Sequence, residues 1–330
     1  MNTKPKLEDL YRDVRPQLDL VEVEIANTLA TPLEPVATMI EHLGGYGGKR
    51  LRPALVLLLM RAAGATKIGQ RGVRLGAAVE MIHLATLVHD DVIDEADMRR
   101  RQETVNARWT NYDAILLGDI VFSRAINLLG RMEDQRCLLA LTATVSTLCE
   151  GEILQNAHRH DPDLSEEMYY SIIESKTACL YGAACELAAH LASASEESVE
   201  AFLSFGLELG RAFQIVDDCL DITGVEEVVG KSLGTDLRHG KMTLPLIMLR
   251  DMCTDEERVQ LAELIRSQRP GSEVKARITD LLKRYEAVER SLERAKGHSE
   301  LAVAAVQPHV SKESLTLLET IASFVFTRRT

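Results

Sequence analysis

Two clusters of aspartate share one spacing. Asp90, Asp91 and Asp94 stand in LVHDDVIDEADMRR, and Asp217, Asp218 and Asp221 stand in FQIVDDCLD. Each reads D-D-x-x-D at the end of an apolar run. Residues four apart share a helix face, so Asp90 aligns with Asp94 and Asp217 with Asp221. Carboxylates held this close raise one another's pKa unless a cation occupies them. Mg2+ suits such a set, because it takes one or two carboxylates, keeps several waters and bridges to phosphate oxygens. A lone cluster reads equally well as a solvated helix end. Two copies of one spacing favour a pair of metal sites, expected to face each other across a cavity and hold a diphosphate through metal.

A diphosphate also needs cations, and the chain supplies them near the same clusters. Lys49, Arg50 and Arg52 follow a turn of five residues, Gly44-Gly45-Tyr46-Gly47-Gly48, where glycine lets backbone approach a phosphate closely. Arg99, Arg100 and Arg101 follow the first aspartates. Lys176 lies in ESKTA, and Lys231 and Lys241 flank GKSLGTDLRHGKMT. Arginine makes bidentate phosphate contacts and lysine a point-charge contact. Taken singly, each is more often a surface charge; the pattern carries the reading. His83 lies two turns before Asp90, and Gln214 three residues before Asp217, so both are candidates for the same cavity.

These residues must be positioned by helices. Helical apolar spacing runs over 6–30, 73–95, 113–132, 135–158, 166–191 and 197–222, and resumes from 242 to the end. Pro53 suits the first turn of LRPALVLLLMRAAG. Ser165 is a cap for the helix after it, and Gly224 a terminator for the helix that carries the second cluster. No strand pattern stands out. The expected architecture is a single all-α domain over 1–330, a bundle whose central helices line a cavity.

Composition narrows the function further. The chain has 330 residues, 46% of them hydrophobic, and a net charge of -12, which excludes non-specific nucleic-acid binding. The six cysteines show no zinc-type spacing and read as small buried hydrophobes. The first residues have no apolar signal region, and no run reads as a membrane span. A cytoplasmic protein with reduced thiols is expected.

GGKRLRP, DDVIDEADMRR, GEILQ, ESKTA, FQIVDDCLD and GKSLGTDLRHGKMTLPL occur in this order across most of the chain. Together they resemble the trans-isoprenyl diphosphate synthase (polyprenyl synthetase) family, in particular its medium- and long-chain members. The resemblance implies an all-α homodimer that condenses isopentenyl diphosphate onto an allylic diphosphate. It implies Mg2+, three ions per active site with Mn2+ able to substitute, held by Asp90, Asp91, Asp94, Asp217, Asp218 and Asp221. Arg99, Lys176 and Lys231 would contact the allylic diphosphate, with Lys241 beside them. Lys49, Arg52, His83 and Arg100 would bind isopentenyl diphosphate. Thr177 and Gln214 would sit near the reacting carbons. The family usually has glycine where this chain has Arg101. His89, directly before the first cluster, is assigned no catalytic role.

Product length should follow from the wall below Asp90. A residue five positions earlier lies ~7.5 Å down the helix. That residue is Ala85, followed by Thr86, where short-chain members of the family carry bulky aromatics. Small residues there imply a medium or long product, with Ile82, Leu128, Leu129 and Met132 as deeper floors. Ala85 as a plain helix–helix contact is the competing reading.

Overall fold

A computed structural model describes residues 11–46, 50–223, 235–267 and 272–327. These are almost wholly helical, as the periodicity predicts. The main helices are α1 (Arg15–Leu29), α2 (Glu34–Gly44), α3 (Leu51–Ala62), α4 (Gln70–Ile93), α5 (Val105–Arg108), α6 (Asn111–Gly130), α7 (Gln135–Ala157) and α8 (Glu166–Ile173). After them come α9 (Cys179–Leu191), α10 (Glu196–Thr223), α11 (Thr235–Arg238), α12 (Leu244–Met252), α13 (Asp255–Arg266), α14 (Ser272–Arg284), α15 (Ala287–Val306) and α16 (Lys312–Thr327).

The chain resolves into two compact units. The first comprises Met1–Val145, Leu180–Gly206 and Ala305–Ile321; the second comprises Ser146–Cys179, Leu207–Ala304 and Ala322–Thr330.

In the first unit, α4 packs on α6, α3 and α1. Helix α1 buries Leu18, Val21, Ile25 and Leu29, one stripe at steps of three and four. Helix α3 buries every residue from Pro53 to Met60, the signature of a helix enclosed on all sides. Pro53 sits in its first turn, where a missing N–H costs nothing. Helix α10 meets α9 at Gly206, where a Cβ would stand 2.5 Å from the Tyr181 carbonyl oxygen and 2.7 Å from the Gly182 Cα.

The second unit is built around Ile215, Val216, Leu244, Ile247, Leu249 and Ile265, all fully buried. Ser165 caps α8 as expected, accepting from the Met168 N–H at 3.1 Å. Thr254 and Glu257 form a reciprocal capping box on α13.

Four local expectations change. A two-stranded antiparallel hairpin joins β1 (Met98–Arg99) to β2 (Gln102–Glu103). Two-residue strands are too short to show alternation, so no pattern announced them. The helix read over 166–191 contains a π turn at Glu174–Ala178. Cys149 is exposed and Cys179 half-buried, whereas the other four cysteines are buried. Finally, α7 is long and apolar enough to cross a membrane by length and composition, with mean hydropathy 1.4. Its Thr, Ser and Gly residues interrupt the visible apolar run but are only mildly polar, so the mean stays high. Gly224 lies outside the described residues.

Candidate active site

The first half-site lies at the end of α4. Asp90 and Asp94 are both half-buried. Asp94 closes the helix, its N–H bonded to the carbonyls of Asp90 and Val92. Asp91 turns the other way and is only 1% exposed. Its carboxylate accepts twice from Arg99 Nε, at 2.8 and 3.0 Å, and lies 2.7 Å from Nη2. The Tyr46 hydroxyl also interacts with it. Burial pushes Asp91 above the usual carboxylate range, and Arg99 opposes that shift. Of the three aspartates expected to hold metal, Asp91 is engaged by Arg99, whereas Asp90 and Asp94 are half-buried.

That pair is held by the hairpin. Its turn residues are Arg100 and Arg101, both at positive φ, +50° and +67°. Arg100 Nη1 donates to the Tyr46 carbonyl. His42 anchors the other strand, donating from Nε2 to the Glu103 carbonyl at 2.8 Å while Nδ1 accepts from Gln102 Nε2 at 2.8 Å. Gly45 makes room for Gln102, since a Cβ there would stand 2.0 Å from Oε1.

Burial, then Arg52, Arg100, Arg99 and Arg50, push His83 well below its ordinary pKa. His83 is therefore neutral, and Arg52 and Arg100, two of the residues expected to bind isopentenyl diphosphate with it, lie near enough to act on its charge. Arg52 also lies over the Tyr181 ring, 4.8 Å from its centroid. Arg50 is instead a structural clamp, bonded to Glu22 and to Glu80 Oε1 at 2.9 Å. Lys49 lies outside the described residues. His89 packs on Gly118 and donates to the Ile115 carbonyl at 3.1 Å.

Further down α4, Ala85 is 3% exposed and Ile82 fully buried, as are Leu128 and Leu129 on α6. Thr86 is half-buried, its hydroxyl turned to the His83 carbonyl at 2.8 Å. Ala85 is packed against its neighbours and is not exposed along an open wall.

The second half-site lies near the end of α10. Asp217 is half-buried. Asp218, 5% exposed, accepts from the Tyr169 hydroxyl and from Gln214 Nε2, both at 2.7 Å. Gln214 Oε1 accepts from the Thr177 hydroxyl at 2.8 Å, so Thr177, Gln214, Asp218 and Tyr169 form one relay. Burial, then Asp236 and Asp217, push Asp218 up to about 8 against the help of its two donors. Asp221, 1% exposed, accepts from Thr235 Oγ1 at 2.9 Å and the Asp236 N–H at 3.1 Å. It holds the start of α11 and is not presented with Asp217. Lys241 Nζ reaches Asp236 at 3.5 Å. Lys231 lies outside the described residues.

Lys176 sits on the π turn. Its Nζ bonds Glu152 and donates to Gln155 Oε1 at 2.7 Å. This accounts for GEILQ: Gly151 lets α7 approach, because a Cβ there would stand 2.7 Å from the Lys176 backbone nitrogen. Sequence reasoning missed Tyr46, Tyr169 and Glu152. All three act on residues distant in the chain, and no spacing rule links them.

The donor sets fit a hard divalent ion. Asp90, Asp94 and Asp217 offer only oxygen, and the crowding that raises Asp218 is what a cation relieves. Within the first unit, a helix end that presents Asp90 and Asp94 close to Arg99 is an arrangement suited to a metal-bound phosphate. The comparisons agree. The polyprenyl synthetase family model matches residues 34–282. Octaprenyl diphosphate synthase of Escherichia coli (strain K12) is 36% identical over 299 residues, 88% of this chain and 91% of that protein. Heptaprenyl diphosphate synthase component 2 of Geobacillus stearothermophilus is 35% identical over 326 residues, 97% of this chain and 98% of that protein. A solved polyprenyl synthase from Caulobacter crescentus CB15, complexed with calcium and isoprenyl diphosphate, aligns with TM-score 0.93 and 33% identity over 100% of both chains. The chain belongs to the polyprenyl synthetase family and is a prenyltransferase.

Proposed function

We propose that this chain is a Mg2+-dependent polyprenyl diphosphate synthase that extends an allylic diphosphate, farnesyl or geranyl, with isopentenyl diphosphate to a medium or long all-trans product, of the kind that forms a quinone side chain. The observation that carries this lies within the first unit: half-buried Asp90 and Asp94 at the end of α4, with the arginines that act on neutral His83. The relatives that make octaprenyl and heptaprenyl diphosphates support the length.

Bound metal, three ions in the full assembly, would neutralise the allylic diphosphate as it leaves. Lys176 and Lys241, with Lys231, add fixed positive charge where the leaving group's negative charge grows. Lys176 needs no reorganisation for this, because Glu152 and Gln155 already hold it. Arg52, Arg100 and Lys49 orient isopentenyl diphosphate, and His83 adds a neutral ring among them. Thr177 spends its hydroxyl proton on Gln214, so its oxygen offers only lone pairs to a nearby allylic cation. Attack by the isopentenyl double bond then releases a proton, for which the departing diphosphate is the base. Arg99 acts by fixing Asp91 and the hairpin. We read 1–330 as one working domain, cytoplasmic and homodimeric. Exposed Tyr112, Ile115 and Leu116 on α6 and Leu139 on α7 support the dimer.

The deciding experiment incubates the purified chain alone with labelled isopentenyl diphosphate, farnesyl diphosphate and Mg2+, then separates the dephosphorylated products. A ladder ending well beyond four isoprene units supports the reading, and a short product rejects its length. A second reading is a catalytic subunit that needs a partner, favoured by the likeness to a component 2 protein along 97% of the chain. Inactivity alone, with activity restored by adding a component 1 subunit, would select it.

A further inference from the structure

In the first unit, three side chains outside the reaction converge. Asp134 stands just before α7, and its Oδ1 accepts the Cys137 backbone N–H at 3.1 Å. His190, in the last turn of α9, places Nε2 at 3.3 and 3.2 Å from the two oxygens of the same carboxylate. The Cys137 thiol interacts with it as well. One ligand atom from each of Asp134, Cys137 and His190 lies within 4.8 Å of the others. A tetrahedral ion with bonds of about 2.0–2.3 Å spaces its ligands about 3.3–3.8 Å apart, so closure needs only small movements.

The surroundings leave the carboxylate to this cluster. Arg136, the cation on the same turn, is bound by Glu196 at 2.8 and 2.9 Å and by Glu186 at 3.1 Å. Burial works against the ionised form of Asp134, but the Cys137 N–H and His190 outweigh it and hold it below the usual carboxylate range. Sulfur and imidazole select against Mg2+, which demands oxygen, and favour the zinc class of divalent ions.

We propose that Asp134, Cys137 and His190 form a second metal site, for a zinc-class cation with water in the fourth position, which ties the start of α7 to the end of α9. The thiol S–H gives way to a sulfur–metal bond and its proton goes to solvent. His190, whose Nε2–H donates to Asp134 in the metal-free protein, gives up that proton to ligate through Nε2 and carries its one ring proton on Nδ1.

Protein stripped with EDTA, desalted and returned to excess Mg2+ would be titrated with Co2+. The expected result is a thiolate-to-cobalt absorption band with the strong visible bands of a tetrahedral ion, saturating at one ion per chain and displaced by Zn2+. Cys137→Ala removes the thiolate band, His190→Gln weakens binding by about tenfold or more, and Asp90→Ala leaves the band in place. His190 is half-buried, so His190→Gln decides if Cys137→Ala does not fold. Absence of the band in folded wild-type protein, a band that survives Cys137→Ala, or undiminished binding in His190→Gln overturns the site.

Discussion

The two D-D-x-x-D clusters are identical in spacing and opposite in wiring. In the first, the middle carboxylate is held by a cation: Arg99 grips Asp91 with contacts of 2.7–3.0 Å. In the second, neutral donors hold it: Tyr169 and Gln214 on Asp218. The last carboxylates differ too. Asp94 ends its own helix and stays half-buried, whereas Asp221 is enclosed and serves the start of α11. Equal spacing therefore does not make equal ligands. The first cluster presents two carboxylates with their charge partly balanced by an ion pair. In the second, burial and the nearby Asp236 and Asp217 raise Asp218 despite its two neutral donors, a crowding that a bound cation would relieve.

Substitution separates the presented carboxylates from the engaged ones. Asp90→Ala and Asp217→Ala should each lower kcat by about a hundredfold or more, the scale of losing one fixed electrostatic partner in a transition state. Circular dichroism and melting should be nearly unchanged. Wild-type turnover in either variant would sink the metal-binding role. Asp91→Ala should instead cost about 3 kcal/mol of stability, because it strands Arg99, only 27% exposed, without its anion. Asp221→Ala loses a cap and should cost about 1 kcal/mol. Chemical denaturation of the two variants side by side would test that order.

The crowding at Asp218 also predicts a pH dependence. Asp218 is raised in the folded protein from 3.8 to about 8. Between those values the folded state binds more protons than the unfolded state, so stability falls as pH rises through the window. The limiting slope for one such group is about 1.4 kcal/mol per pH unit. Metal-free protein should therefore melt at a lower temperature at pH 8 than at pH 6, and Mg2+ should shrink the difference. A melting temperature that is flat or rises over this range without metal would show that Asp218 ionises freely.

Much of this was legible in the sequence, for a definite reason. Helix periodicity, the Ser165 cap and the position of Pro53 depend on neighbours within a turn or two, and the chain records those directly. The two clusters and their basic companions were legible as residue types. Their wiring was not, because Asp218 answers to Tyr169 and Asp134 to His190, 49 and 56 residues away. Ala85 shows the same limit: a small residue reads as an open wall, yet here it is packed. Spacing also concealed that Arg50, in a run of three basic residues, is committed to Glu22 and Glu80.

The smallest effect sharpens the comparison within the hairpin itself. Arg100 and Arg101 both adopt positive φ, as two-residue hairpin turns require. A non-glycine residue pays roughly 1–2 kcal/mol for that conformation. Arg101→Gly removes this strain but adds roughly 0.5–1 kcal/mol of unfolded-chain entropy to be lost on folding. The net expectation is a gain of about 0.5 kcal/mol, with kcat unchanged, because the exposed Arg101 is assigned no substrate contact. Arg100→Gly relieves the same strain yet loses the bond to the Tyr46 carbonyl that ties the turn to the end of α2. It should lose stability and raise the KM for isopentenyl diphosphate. If Arg101→Gly also raised that KM, the third arginine would belong with the substrate-binding cations, and the family's glycine at this position would mark a different way of holding the same phosphate.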